Sequence, residues 1–241
     1  KYVIMILIVG ELIMKKVLKK FELTIAMILI IIYVALNMLC INNYGVFDYR
    51  TFLYNFLYLT LILIFIVESD QIEYYGLTDV KNSKKCLYFI PLIFIISVNL
   101  WTGFNIQNTY IEIVFYLLNM LMIGFLEEII FRGFLYKGLK KNGMLFATIV
   151  TSLTFGFGHI LNLFNGTAVV ATLIQIITAI SIGFLFVTIF DKCKSLWPCI
   201  IAHALFNFFS IFQIENNISM YVSPIVLFVV PMIYAFYLRK K

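Results

Sequence analysis

Charge is what this sequence has least of. Only 12% of its 241 residues are Asp, Glu, Lys or Arg, while 63% are hydrophobic and the mean hydropathy is +1.02. Soluble domains carry about 25% charged residues and about 45–50% apolar ones. The excess cannot all be folded inward, which excludes a soluble globular chain and points to a membrane protein. The four cysteines, Cys40, Cys86, Cys193 and Cys199, form no CxxC pair. Three lie beside Lys-rich loops, and they read as reduced, unpaired thiols. There is no internal repeat, no linker and no room for a separate soluble domain. The expectation is one integral membrane domain over residues 1–241. The first residue is Lys1 rather than Met, which leaves the true start open.

What is there reads as an all-α polytopic bundle of about eight transmembrane helices, over roughly 21–41, 51–67, 86–100, 110–136, 144–160, 168–190, 196–210 and 221–238. Ahead of them Tyr2–Met14 is apolar but short, fitting a truncated span, a signal remnant or an interfacial helix; only Lys15, Lys16, Lys19 and Lys20 follow it. Glu68–Lys85 is long enough to be an amphipathic loop. Of the 18 basic residues, 15 fall in alternate loops at 15–20, 81–85, 137–141 and 192–194 and at the C-terminus, against Arg50 alone on the other side. This asymmetry predicts a multi-pass protein of the cell membrane with those loops and its C-terminus in the cytoplasm. The net charge of +6 is a topology signal and an attraction to anionic lipid. With no basic face outside the loops, nucleic acid is not an expected partner.

Against this background the mid-span ionisable residues stand out, since each costs about 2.5–3.5 kcal/mol to insert. They are Glu127, Glu128 and Arg132 in "EEIIFRGFLY", His159 in "FGFGH", and His203 with Asn207 in "HALFN". These are the chain's only two histidines. Glu128 and Arg132 are i,i+4 and predict a fork-like ion pair; His203 and Asn207, and Phe155 and His159, also share faces. Glu127 sits about 100° round the helix and is free to face something else. Gly156 and Gly158 let a neighbouring helix approach. Any one of these groups alone reads equally as polar glue between helices. Two Glu, two His, an Asn and an Arg gathered in the C-terminal half point instead to chemistry. Glu22, near a span end, reads as solvated.

Together the three stretches resemble the EExxxR, FxxxH and HxxxN motifs of the CPBP intramembrane peptidases, which include CaaX prenyl endopeptidases and bacteriocin-processing or self-immunity (Abi-type) proteins. They cover Glu127–Asn207, within the motif-bearing region 110–210. The resemblance implies that Glu127 and His159 activate a water and that His203 and Asn207 steady the oxyanion. Glu128 completes the catalytic set, with Arg132 and Phe155 supporting it. Two Glu and two His (Glu127, Glu128, His159, His203) could also hold zinc with an open position, although no HExxH forces that reading.

One geometric difficulty accompanies this. Along straight helices Glu127 lies about 15 Å from the cytoplasmic end of its span and His159 about 24 Å from Lys141. Their meeting needs a tilted span, a loop dipping into the membrane or a helix start shifted inward. The expected function is hydrolysis of a peptide bond in a peptide or protein substrate at the bilayer. The chain's bias towards AT-rich codons favours a small bacterial peptide, such as a bacteriocin, over a prenylated tail. The rivals are a non-catalytic immunity or scaffold protein on the same fold and a proton-coupled transporter, the latter expected to show inverted repeats.

Overall fold

Local chemistry sets the ends of the helices. The computed structural model describes residues 2–80 and 89–240, and every regular element among them is helical. Helix α1 (Tyr2–Tyr44) breaks at Phe21 (φ −118°, ψ 18°), where the basic run ends and the long apolar run begins. Tyr2–Met14 is thus a helical lead into the first span. Asp48 caps α2 (Tyr49–Glu68), accepting the Arg50 backbone N–H at 2.8 Å. Helix α3 (Ile90–Ser97, with a 3₁₀ turn Val98–Leu100) opens on Pro91, whose missing N–H costs nothing in a first turn. A capping box between Thr109 and Glu112 starts α4. That helix is α-helical over Tyr110–Glu127, widens to a π-helix over Glu128–Leu135, and closes as Tyr136–Lys140.

Gly143, at φ 111°, turns the chain into α5 (Met144–Gly158), which ends in a 3₁₀ turn, His159–Leu163. Helix α6 (Val169–Cys193) ends on left-handed Lys194. Then come α7 (Trp197–Phe209, 3₁₀ to Phe212) and α8 (Ser223–Lys240, led by a π turn Ile218–Val222). Among the described residues the eight helices fall on the eight expected stretches to within a few residues, except that α1 starts at Tyr2, well ahead of the expected 21, and matches only from its break at Phe21. Residues 81–88, and with them Lys81, Lys84, Lys85 and Cys86, lie outside the described residues.

Six of the stretches are long and apolar enough to cross a membrane; Ile90–Leu100 and Trp197–Phe212 are shorter apolar helices. At 1.5 Å per residue these two reach only about 16 and 24 Å, less than the roughly 30 Å hydrocarbon layer. They are held instead by their neighbours. Leu92, Ile95 and Val98 of α3 and Cys199 and Ala202 of α7 share a core with Leu185, Phe186 and Ile189 of α6. A second core joins α1, α2, α4 and α5 through Ile66, Leu126, Ile130, Phe134 and Phe155. Residues such as Ile31, Leu61, Ile93 and Ile233 face outward, as lipid contact requires.

The loop after α2 is not a surface helix. Residues 69–77 fold back as turns; Tyr75 is buried and stacks on Phe134 at 4.2 Å, and the Gly76 carbonyl accepts the Leu196 N–H at 2.8 Å. Glu22 is half-buried and accepts from the Tyr74 and Tyr75 hydroxyls at 3.2 and 3.5 Å. Cys40 and Cys199 are buried and in no disulfide.

Candidate active site

The site is built on the widened turn of α4. All eight residues from Glu128 to Leu135 are buried, and Glu128 and Arg132 are wholly inaccessible. An Arg132 amino nitrogen lies 3.1 Å from Glu128 Oε1. The fork expected for this pair does not form. Glu128 Oε2 and all three guanidinium nitrogens make no hydrogen bond to the protein. The reason is competition and stacking. His203 Nδ1 takes the same Oε1 at 2.8 Å, while the guanidinium lies over the Phe155 ring at 4.2 Å and near Phe186 at 5.6 Å. Gly183 of α6 makes room for it: a Cβ there would stand 3.3 Å from the guanidinium.

His203 joins the two carboxylates. Its Nε2 is 3.3 Å from Glu127 Oε2, so a single ring bridges neighbouring glutamates. The other oxygen of Glu127 meets a residue that sequence reasoning missed. Tyr33 of α1 donates its hydroxyl to Glu127 Oε1 at 2.6 Å, and Asn37, one turn on, donates to the Tyr33 oxygen at 2.7 Å.

His159 opens the turn after α5. It shares a cavity of about 120 Å³ with Glu127, Tyr33, Asn37 and Asn162. Phe155 meets both imidazoles edge-on, at 5.5 Å from His159 and 5.8 Å from His203. A second cavity, of about 70 Å³, lies against the same Phe155 and His159 and is lined also by His203 and Asn207. Asn207 is further fixed through its backbone carbonyl, which accepts from Tyr116 at 3.1 Å. The structure thus lines two adjoining cavities with Glu127, Phe155, His159, His203 and Asn207, and buries Glu128 and Arg132 behind His203 and Phe155. Helix α5 is unbroken from Met144 to Gly158, and His159 follows it directly at the start of the 3₁₀ turn. Gly156 allows the helix's close contact with α6, where a Cβ would fall 2.9 Å from the Ile176 carbonyl oxygen. Gly158 plays no such part. Nothing lies within 4 Å of a Cβ built there, and it lines the larger cavity.

The residues named for zinc do not fit a metal as arranged. Both His203 nitrogens face carboxylates, and among the described residues no three His, Cys, Asp or Glu side chains are disposed to hold an ion.

Residues 108–209, the segment carrying every motif residue, match the family of Rce1-like type II CAAX prenyl endopeptidases. The Rce1-like match leaves Tyr33 and Asn37 outside it. The chain is also 33% identical over 92 residues to a protein of Bacillus subtilis (strain 168) named "Putative membrane peptidase YdiL". That similarity covers 37% of this chain and about a third (33%) of the relative. No solved structure matches the chain.

Proposed function

We propose that this chain is an intramembrane endopeptidase that hydrolyses a peptide bond with a water activated by Glu127 and His159. The observation that carries the reading is the clustering of Glu127, Glu128 and His203 by direct contacts, beside a cavity shared by Glu127 and His159. Water in that cavity would lose a proton to Glu127 as it attacks the scissile carbonyl. The developing oxyanion would be met by His203 Nε2–H, released from its long contact with Glu127, and by the Asn207 amide. Glu127 would then return the proton to the leaving amine. Glu128 holds the His203 ring by Nδ1, and Arg132 balances Glu128. The cytoplasmic placing of the basic loops and C-terminus is part of the same proposal. So is the substrate: a small peptide, such as a bacteriocin, presented at the membrane.

The test is cleavage by the purified full chain in lipid nanodiscs, with a quenched fluorescent farnesylated CaaX peptide and an unprenylated bacteriocin precursor as substrates. Glu127→Gln keeps shape but cannot take a proton, and the rate should fall by about 10²–10⁴-fold with folding intact. His159→Ala should resemble it, and the double variant should be little worse than either alone. A chelator should leave the rate unchanged. Full activity in Glu127→Gln would end the peptidase reading and favour a scaffold; proton flux without product would favour a transporter.

A further inference from the structure

Glu127 is the residue on which the proposed chemistry turns, yet one of its two oxygens is held from a helix outside the Rce1-like segment. Tyr33 is almost fully buried, at 4% exposure. Its hydroxyl is 2.6 Å from Glu127 Oε1, the length of a charge-assisted bond from a hydroxyl to a carboxylate. A phenol has one proton to give and lone pairs to receive. Asn37 Nδ2, 2.7 Å away, donates to the Tyr33 oxygen and so directs the phenolic proton towards Glu127. Tyr33 and Asn37 are one helical turn apart on α1, which puts both on one face, and both line the cavity that contains Glu127 and His159.

We infer that α1 completes the active site, with Tyr33, oriented by Asn37, acting as a positioning residue that fixes the Glu127 carboxylate for its encounter with water. This rests on the peptidase reading. Held by Tyr33 through Oε1 and drawn by His203 at Oε2, the carboxylate has one orientation instead of several. Its remaining acceptor sites are then presented to the cavity before a substrate arrives. A second buried tyrosine supplies the control. Tyr58 of α2 donates its hydroxyl to the Leu29 carbonyl of the same α1 at 2.8 Å, so its proton goes to the backbone and not to Glu127.

The experiment compares Tyr33→Phe, Asn37→Ala, their combination and Tyr58→Phe as full chains in nanodiscs, with the quenched farnesylated CaaX peptide and the bacteriocin precursor. Tyr33→Phe should lower kcat by roughly 10–100-fold, the span of one charge-assisted hydrogen bond, with KM little changed. Asn37→Ala should lose less, the double variant should be no worse than Tyr33→Phe, and Tyr58→Phe should keep the wild-type kcat. The infrared carboxylate stretch assigned to Glu127 by its loss in Glu127→Gln should move in Tyr33→Phe and stay put in Tyr58→Phe. Should Tyr33→Phe fail to assemble, Asn37→Ala carries both readouts. Wild-type kcat with an unmoved band overturns the inference while leaving the peptidase reading intact. No cleavage of either substrate by the wild type overturns the peptidase reading, and the catalytic role of Tyr33 with it.

Discussion

Arg132 is the residue whose environment departs most from its expected one. With no hydrogen bond from its three nitrogens, it is kept in place by charge and by two rings. Arg132→Lys keeps the charge but cannot stack a plane on Phe155. Arg132→Ala leaves the buried Glu128 without its arginine partner, a loss of about 3–5 kcal/mol. Abundance in membranes should fall in the order wild type, Lys, Ala, read by fluorescence-detected size exclusion; three equal levels would show the pair to be dispensable. The cluster of ionisable residues was legible because such groups in apolar helices are costly and conspicuous. Tyr33 and Asn37 were not. One tyrosine among 15, on an apolar helix, gives no periodic or energetic signal, and its partner Glu127 lies 94 positions away. Nor could spacing alone show that His203 would compete for the Glu128 oxygen that a fork needs.

At the scale of the element, the two glycines of "FGFGH" separate cleanly. A side chain at Gly156 meets the Ile176 backbone, whereas one at Gly158 meets nothing. Gly156→Ala should therefore cost roughly 1–3 kcal/mol as α5 and α6 are forced apart, lowering the melting temperature in nanodiscs. Gly158→Ala should leave it unchanged. Sequence marked both as contact glycines, because small-residue spacing cannot tell which side of a helix faces a partner. The cap of α2 gives a pH signature. Bonds from the Arg50 side chain, then its backbone, hold the Asp48 carboxyl down to about 2. A carboxyl lowered on folding adds stability above its unfolded value, near 3.9, and loses it as the pH falls through the folded one. The melting difference between wild type and Asp48→Ala should be constant above about pH 5 and shrink between about pH 4 and 2. A difference that grows on acidification would contradict this assignment.

For the whole molecule, order and number of helices were legible from hydropathy alone; the shortness of α3 and α7 was foreshadowed only by their brief apolar stretches. What hydropathy cannot show is that their ends are covered by neighbours rather than by water. Sidedness is the molecular property most open to direct trial. Cysteines placed at Asn43, Asn105 and Asn216 should react with an impermeant maleimide in intact cells, since the basic asymmetry puts these positions outside. Reaction only after permeabilisation would invert the chain.

The widened turn between Glu128 and Leu135 has a consequence for how such a chain can be altered. A helix bonded i to i+5 carries more residues per turn than its α-helical neighbours; in hereditary terms it is an insertion retained. Excising one residue from it, at Ile130 for instance, would restore the ordinary repeat. The flanking α-helical stretches would keep their facing, because the wide turn is what absorbs the extra residue. The change would fall inside the turn itself, where Glu128 and Arg132 would stand three residues apart instead of four: the same feature that lets the helix tolerate a residue fixes where it can be taken away.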